Sequence, residues 1–368
     1  MKKYSIIWVE KININDVIFI YNRKIRRLYM NWYKFNSIFG YKDCMFYVNI
    51  GSRMTGKSYA AMDFCLNQYK KYHRQFVWIR LSAVSRDKML TNNADKLIDM
   101  DLRRKYNLDI CRIGMDVYEV LKRNEKGKVI KKRKMCKVLA LSEMAKEKGV
   151  ALFDKDYKGW YNIVCDEFVR EKNEKETFDV RYNLANTLEN LIRVRKNKVR
   201  IVLICNACSE IGNVLAGFNF IPFQFGRWYL KKKKAVIDYC EPDADYKKMR
   251  DGSALDILMN STDGNTSNII ERDMSRIWRA PLRKPIAIVK FSKDKNDWYI
   301  LHEHRVISRY KNQPLNNVIS MRPYISEVFD PEQRDMIYQL FHAKNLYFKD
   351  LITQELFVQN LIDIKMRG

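Results

Sequence analysis

The chain has 368 residues, of which 47% are hydrophobic and 13% aromatic, which excludes a disordered tail or a low-complexity polymer. At about 150 residues per domain, this length predicts roughly two to two and a half domains. Lys and Arg outnumber Asp and Glu by 69 to 43, so the formal net charge is +26. Such a charge favours a polyanionic partner, with nucleic acid as the first candidate and an anionic membrane surface as the rival.

No stretch approaches the roughly 18 uncharged apolar residues of a membrane span, and Glu10 interrupts the N-terminal run too early for a signal peptide. We therefore expect a protein without a membrane partner that stays inside a cell. The eight cysteines are scattered, several within apolar runs, which indicates a reducing compartment. Cys205 and Cys208 have CxxC spacing, but with no second Cys/His pair nearby we assign no metal cluster.

A glycine-rich motif, G-x-x-x-x-G-K-S, runs from Gly51 to Ser58. The apolar run 45–50 before it predicts a strand, and the spacing of the apolar residues after it predicts a helix with Met62, Cys65, Leu66 and Tyr69 on one face. This strand, loop and helix context is that of a phosphate-binding loop, with a surface glycine-rich turn as the alternative.

Each residue type in the motif suits a triphosphate. The glycines, Gly51 and Gly56, would let backbone N–H groups curl around a phosphate, and the helix N-terminus would add partial positive charge. Lys57 would reach the β- and γ-phosphates, and the Ser58 hydroxyl would hold Mg²⁺. The motif therefore predicts ATP and Mg²⁺ as cofactors.

An apolar run from Trp160 to Cys165 predicts a second strand, and it ends in two acids. Asp166 would complete the magnesium shell with Ser58, and Glu167 would polarise the hydrolytic water, as in a Walker B motif. An acidic pair in an ordinary turn is the alternative. A third strand, 200–205, ends in Asn206, whose amide could touch the γ-phosphate or orient the water.

Between these strands, Leu184, Leu188, Leu191 and Ile192 have helical spacing and lead into a basic run that begins at Arg193. The basic residues either satisfy the helix dipole or supply an arginine finger to a neighbouring subunit. Spacing alone leaves both readings open.

These residues together resemble a known family. Residues 163–172, with the acidic pair followed by Phe-Val-Arg-Glu-Lys, and residues 51–59 and 193–206, resemble the DNA-packaging ATPases of small phi-29-like tailed bacteriophages. The resemblance covers about residues 30 to 225. It implies an α/β additional-strand (ASCE) P-loop ATPase core with a smaller α+β, vestigial ribonuclease-H-like C-terminal domain.

The resemblance also implies a homo-oligomeric ring, with five subunits expected, that drives double-stranded DNA through a portal into an empty capsid. A structural RNA or protein alone would join it to the portal, and it would act in the host cytoplasm, docked on the procapsid and absent from the mature virion. By position, the trans-acting finger falls on Arg193, with Arg195 and Arg200 as further candidates. Tyr59 falls within the nucleotide motif, and residues 33–43 fall where the family contacts adenine.

The resemblance also implies a hairpin, which appears here as a basic insertion in the ATPase domain at about residues 117–141, with a turn at Asn124–Lys128. Its charge run includes Lys131, Lys132, Arg133 and Lys134. A solvated face is the ordinary interpretation of such a run. If the hairpin points into the ring, these side chains could instead grip DNA phosphates without reading bases.

The predicted organisation is an ATPase domain (1–225), a linker (226–250) and a C-terminal domain (251–368). In the last part, 286–291 and 298–304 predict a hairpin, and Asp330 with Pro331 predicts a helix start. We see no converging carboxylates for two-metal cleavage, so this domain is expected to bind or dock rather than cut. His302 and His304 could share a strand face, most simply a solvated one.

The leading hypothesis is thus an ATP-driven translocase of double-stranded viral DNA. A helicase-like or other nucleic-acid-stimulated NTPase would share the phosphate chemistry but could prefer single strands. A third possibility is a nucleic-acid scaffold whose P-loop holds nucleotide without turnover.

Overall fold

A computed structural model describes residues 17–20, 33–35, 38–52, 55–143, 160–169, 178–192, 199–206, 211–222, 224–241, 274–291, 298–309, 315–323 and 330–367. Within these ranges no helix is long and apolar enough to cross a membrane. The chain divides into two compact units, one formed by Met1–Cys208 with Pro222–Ile270 and the other by Ser209–Ile221 with Glu271–Gly368.

The first unit is built on a ten-stranded sheet. Its strands are β1 (Val17–Ile20), β2 (Phe46–Gly51), β3 (Phe76–Arg80), β4 (Ile110–Ile113), β5 (Asp116–Arg123), β6 (Val129–Ala140), β7 (Tyr161–Asp166), β8 (Val199–Asn206), β9 (Gly226–Leu230) and β10 (Ala235–Tyr239). Its helices are α1 (Lys57–Tyr72), α2 (Ala83–Ala94), α3 (Met100–Lys105) and α4 (Val180–Ile192). The predicted strands and helices around the motifs are confirmed, with ends shifted by a few residues.

The order of strands across this sheet is β1-β9-β10-β2-β8-β7-β3-β6-β5-β4. The six from β10 to β6 run parallel to one another. Strand β8 lies between the phosphate-loop strand β2 and the acidic strand β7, and this inserted strand is the defining feature of the additional-strand P-loop fold. The fold class predicted from the sequence is confirmed for this unit.

The parallel strands are mostly apolar where they pair with one another, as is usual in a parallel sheet that is buried on both faces. The core packs residues of α1, such as Cys65, Leu66 and Tyr69, against strand residues such as Trp78 and Val202, all at most 2% exposed. Burying these side chains fixes α1 on the sheet, with its N-terminus beside the carboxyl ends of the strands.

The predicted basic hairpin is confirmed as β5 and β6, whose turn is closed by the N–H of Gly127 donating to the carbonyl of Asn124. It is not a separate insertion, because β6 also pairs with β3, Cys136 lying opposite Phe76. The seven residues of β6 before Cys136 therefore extend about 23 Å beyond the amino end of β3. The hairpin tip thus projects from the edge of the sheet opposite the phosphate loop.

The predicted linker, 226–250, is wrong in its first half. Residues 226–230 and 235–239 form β9 and β10, and β10 pairs with the phosphate-loop strand, Tyr239 lying opposite Ile50. The four lysines 231–234 occupy the tight turn between these strands. Short buried strands beside a charged turn resemble a linker in composition, and only the pairing partner reveals the difference.

The second unit is a smaller α+β structure, as expected. Its strands, β11 (Pro285–Lys290), β12 (Trp298–His302), β13 (Val306–Arg309), β14 (Val318–Ser320) and β15 (Tyr347–Phe348), form a sheet in the order β14-β11-β12-β13-β15. Its helices are α5 (Ile211–Gly217), α6 (Pro331–His342) and α7 (Leu351–Arg367). The predicted helix start is confirmed, since the Asp330 carboxylate accepts hydrogen bonds from the backbone of Glu332 and Gln333.

The two histidines do not share a solvated strand face. Strand β12 ends at His302, which is 5% exposed, with ring nitrogens 2.9 Å from the Arg283 carbonyl and 2.8 Å from the Ser308 hydroxyl. His304 lies beyond it in a 3-10 turn with φ of 62°. His302 is therefore a buried structural residue. Among the described side chains, no group of three His, Cys, Asp or Glu could hold a metal ion.

Candidate nucleotide site

Two predicted ligands of the metal–triphosphate meet at the carboxyl edge of the parallel strands. The Ser58 hydroxyl, in the first turn of α1, donates a 2.6 Å hydrogen bond to Oδ1 of Asp166, the last residue of β7. These residues are 108 positions apart in the chain. Their meeting follows from the sheet, because β7 and β2 point the same way and α1 begins where β2 ends.

The phosphate loop has the backbone that its glycines predict. Gly56 has φ of 78°, the left-handed region that favours glycine, and it caps α1 without a side-chain hydrogen bond. The first turn of α1 contains no acid. The helix therefore directs uncapped backbone N–H groups and an unneutralised dipole towards the loop, where a phosphate would bind.

Lys57 lies buried beneath the loop. Its ammonium donates to the carbonyls of Gly51, at 3.0 Å, and Ser52. Burial lowers the pKa of Lys57, although Cys205, Cys240, Asp166 and Glu167 all act in the opposite direction. Nearby, the hydroxyl oxygen of Ser52 is buried with no hydrogen-bond partner within the described part of the chain. The loop thus brings together the buried Lys57 ammonium and the Ser52 hydroxyl, two groups that can bind the oxygen atoms of an anion.

An arginine that the sequence did not reveal occupies the same site. Arg80, at the end of β3, donates through Nη1 to Oδ2 of Asp166 at 2.7 Å and through Nη2 to the carboxylate of Glu167. Its Nε donates to the Ser85 hydroxyl at 2.8 Å. The side chain is 12% exposed. Arg80 therefore pairs with both acids of the Walker B pair, and no sequence motif marks it.

Asp166 is the more deeply buried acid, with its side chain 1% exposed. Burial raises its pKa above the ordinary value, and Arg80 and Ser58 counteract this only in part. The carboxylate is thus costly to ionise in the fold, because burial removes the water that would stabilise its charge.

Glu167 lies at the surface beside Asp166, with its side chain 53% exposed. Its backbone has φ of 52°, and its N–H donates to the carbonyl of Ile204 on β8 at 2.9 Å. Asn206 ends β8 directly opposite Gly51 on β2. The structure thus brings the predicted base and the predicted polar sensor to the same edge as the phosphate loop. Left-handed backbone at a non-glycine residue costs energy.

The segment before β2 contacts the phosphate loop. The N–H of Tyr33 donates to the Thr55 carbonyl at 3.0 Å, and its hydroxyl donates to Asp238 on β10 at 2.8 Å. Arg227 on β9 pairs with the same carboxylate at 3.3 Å. Burial and Asp238 hold the pKa of Tyr33 well above its usual range. Sequence reasoning missed Arg227 and Asp238 because they belong to the segment interpreted as a linker.

Not every predicted site residue can be located. Arg193 and Arg195 lie outside the described residues, as does Cys208. Arg200 lies at the amino end of β8, with its guanidinium 4.9 Å from the Phe39 ring centroid, and it donates to Asn162 at 3.2 Å. The Arg200 guanidinium is thus engaged by side chains of its own subunit, which weighs against Arg200 as the finger. Tyr59 is in the first turn of α1 and 38% exposed.

The four basic residues predicted to grip DNA are not equivalent. Lys131, Lys132 and Arg133 are exposed, but the Lys134 side chain is 8% exposed and its ammonium lies 3.1 Å from Asp116. Lys134 was therefore wrongly grouped with the others. Successive residues of a strand point to opposite faces of the sheet. Lys134 lies close to the sheet on a face where its side chain is covered, so its charge requires a partner, which Asp116 supplies.

Taken together, the inserted strand β8, the loop over Lys57 and the acids after β7 define a P-loop ATPase fold of the additional-strand class. The sequence model of the Podovirus DNA encapsidation protein (Gp16) family matches residues 27–341. The chain belongs to this family, as the resemblance predicted.

Relatives and solved structures agree with this assignment. The DNA packaging proteins of Bacillus phages PZA and phi29 are each 26% identical over 218 residues, which is 56% of this chain and 57% of theirs. The Phi-28 gp11 DNA packaging motor has a TM-score of 0.63 at 15% identity, covering 92% of this chain and 98% of that one. The bacteriophage Phi-29 viral genome packaging motor assembly has a TM-score of 0.56 at 18% identity, covering 90% and 99%. At these identities the two structures show a shared fold.

Proposed function

We propose that this chain is the ATP-hydrolysing subunit of a motor that drives double-stranded viral DNA through a portal into a preformed capsid. The observation that carries the proposal is the hydrogen bond between Ser58 and Asp166, 2.6 Å long across 108 residues of chain. It joins a phosphate-loop hydroxyl to a buried acid, the two groups that a metal-bound triphosphate requires at one point. Family membership supplies the substrate, DNA, and the direction, encapsidation.

The nucleotide would bind across the N-terminus of α1. Backbone N–H groups of the loop and the uncapped first turn would hold the β-phosphate, and the Lys57 ammonium would transfer from the Gly51 and Ser52 carbonyls to phosphate oxygens. The buried Ser52 hydroxyl would gain the partner that it lacks among the described residues. Tyr33, fixed to Thr55 and Asp238, would bound the nucleotide on the β10 side.

Ser58 and Asp166 would hold Mg²⁺, since a hydroxyl and a carboxylate are the hard oxygen donors that this ion prefers. When bound, Mg²⁺ would neutralise charge on the β- and γ-phosphates. The geometry supports this assignment because Ser58 and Arg80 occupy different oxygens of Asp166, so the hydroxyl and one carboxylate oxygen lie together where the ion would bind.

Glu167 would accept the proton of the attacking water, and Asn206 would orient that water or the γ-phosphate. The Glu167 carboxylate accepts a hydrogen bond from Arg80, so it would separate from Arg80 to receive a proton from the attacking water. Arg80 can remain on Asp166 and Ser85 during this movement, so that only the exposed half of the interaction is broken.

The remaining parts of the proposal come from the family resemblance. The subunits would form a ring, expected to be pentameric, in which Arg193 of one subunit completes the site of the next. The ring would dock on the portal of the procapsid in the host cytoplasm, through a structural RNA or through protein. The C-terminal unit would bind or dock without cleaving DNA.

The catalytic assignment is tested with Glu167→Gln. We expect turnover of ATP to fall by at least about 100-fold, the contribution of a positioned base, while ATP affinity measured by equilibrium binding is retained. Glu332→Gln is the matched control, since Glu332 is an exposed glutamate on α6. If Glu167→Gln released phosphate as fast as the wild type, Glu167 would not be the base. If neither protein hydrolysed ATP, the scaffold alternative would be favoured.

The translocase and helicase alternatives differ in the polymer that stimulates hydrolysis. We expect double-stranded DNA to raise the rate of phosphate release more than single-stranded DNA of the same length and sequence. Stronger stimulation by single strands would favour the helicase-like alternative.

A further inference from the structure

The C-terminal end of α1 is bound to the basic hairpin. Tyr69 and Lys70, in the last turn of α1, donate to the carboxylate of Glu119 on β5 at 2.9 and 2.6 Å. His73 ends the helix, and its ring nitrogens lie 3.1 and 3.4 Å from Nη1 of Arg133 on β6. The helix end and this side of the hairpin therefore form one continuous surface.

Two cations of β6 lie exposed on that surface. Arg133 lies directly opposite Glu119 in the ladder between β5 and β6, but both oxygens of that carboxylate are already bound by α1. Lys131 is two residues away on the same strand and therefore on the same face. Among the described residues, neither Arg133 nor Lys131 forms an ion pair with an acid. Their charges are thus available to an anion from outside the chain.

Arg74, the residue after His73, adds a third cation, and its position is fixed. Its Nη1 donates to the side-chain oxygen of Gln68, and its guanidinium lies 4.6 Å from the centroid of the Tyr72 ring. The other N–H groups of the guanidinium take part in no hydrogen bond with the described residues. Because the side chain is already ordered, binding an anion through these groups costs little further conformational entropy.

The helix dipole does not account for these cations. Basic residues at the C-terminal end of a helix ordinarily serve its dipole and its last carbonyls. In α1, however, carbonyls of the last turn accept from the backbone N–H of His73, and two lysines already lie in that turn. Arg133 belongs to a different element and contacts the His73 ring, not a carbonyl of the helix. The charge gathered here exceeds what the helix end requires.

The chemistry of the surface fits the phosphates of a nucleic acid backbone. A guanidinium presents planar pairs of N–H donors that match phosphate oxygens, and such contacts carry no information about the bases. The anion is not the nucleotide held at the phosphate loop, because the 16 residues of α1 separate the two ends of the helix by about 24 Å.

We propose that Arg74, Lys131 and Arg133 form one sequence-independent phosphate-binding surface for duplex DNA at the C-terminal end of α1. His73 would position Arg133, and Tyr72 would position Arg74. The same helix would then hold nucleotide at its first turn and DNA beside its last. The inference rests on the proposed function, which makes duplex DNA the polyanion.

Arg74 provides the test, because it lies outside the hairpin. In the full-length protein, Arg74→Gln and Arg74→Lys are compared by measuring the affinity for a fluorescent DNA duplex against salt concentration. The slope of log K against log salt should become shallower by about 0.9 in Arg74→Gln, through the loss of one phosphate contact, and should be kept in Arg74→Lys. Arg104→Gln, which removes an exposed arginine of α3, is the matched control and should keep the slope.

Circular dichroism and nucleotide affinity verify the fold of each variant, and both should equal those of the wild type. An unchanged slope in Arg74→Gln would overturn the inference, while duplex-stimulated ATP turnover would leave the proposed function standing. Equal losses in Arg74→Lys or in Arg104→Gln would also overturn it, since they would indicate a structural role or an effect of net charge. Weakened binding to double-stranded RNA with the DNA slope intact would overturn it in favour of an RNA partner. A wild type that neither binds nor responds to duplex DNA would overturn both proposals.

Discussion

Arg80 is the residue whose role the structure defines most sharply, and Arg80→Gln tests it. The guanidinium faces Asp166, which is 1% exposed, from 2.7 Å. Removing one partner of a buried ion pair costs about 3–5 kcal/mol, because the remaining charge is left uncompensated. We expect the lower end, about 3 kcal/mol, since Asp166 can relieve part of the cost by binding a proton. At about 2–4 °C per kcal/mol for a unit of this size, Tm should fall by about 6–12 °C.

A double-mutant cycle assigns this loss to the Arg80–Asp166 pair. Asp166→Asn leaves Arg80 bound to Glu167 and Ser85, so by itself it should lower Tm less than Arg80→Gln does. The double variant should be less destabilised than Arg80→Gln, with a coupling energy of about 0.5–3 kcal/mol. Thermal denaturation without nucleotide is the assay. Equal Tm losses in Arg80→Gln and in the double variant would refute the pairing argument.

The pH dependence has a definite sign. Because the pKa of Asp166 is raised in the fold by burial, the folded protein binds its proton more tightly than the unfolded chain does. The stability that protonated Asp166 contributes is therefore lost as the pH rises through the pKa that Asp166 has in the folded protein. In Arg80→Gln this loss should occur at higher pH, and in Asp166→Asn it should be absent. A Tm profile identical in all three proteins would contradict the assignment.

Two further predictions concern the hairpin and the segment before the phosphate loop. Lys131→Gln should lower the slope of log DNA affinity against log salt concentration by about 0.9. Lys134→Gln should leave this slope unchanged and destabilise the fold, because Lys134 is paired with Asp116. Equal slopes in the two variants would contradict this distinction. Tyr33→Phe removes the hydrogen bond to Asp238 and should lower the free energy of unfolding by about 1.5 kcal/mol in urea titrations. An unchanged urea midpoint would show that Arg227 alone satisfies Asp238.

Much of the nucleotide site could be predicted because most of its residues belong to short sequence motifs. Gly56 is required by a left-handed backbone, Ser58 follows from the motif, and Asp166 ends an apolar strand. The direction of parallel strands then brings the ends of β2, β7 and β8 to one edge, so the meeting of Ser58 with Asp166 could be inferred without coordinates.

Other parts could not be inferred in this way. Arg80 ends a strand that carries no recognisable motif, and it matters only because β3 is the neighbour of β7. Lys134 differs from Lys131 in lying on the other face of β6 and nearer the sheet, where Asp116 pairs with it. The turn 231–234 has the composition of a linker, but its strands pair with the core.

The sequence by itself determined the local chemistry of this protein: the phosphate loop, the acidic pair, the strands that carry them and the excess of positive charge. Only the tertiary structure decided that Arg80 pairs with Asp166 and Glu167, and which lysines of the hairpin are exposed or paired. The physical reason is that motifs depend on neighbouring backbone positions, whereas burial and pairing of charge depend on strands that meet across long separations in the chain.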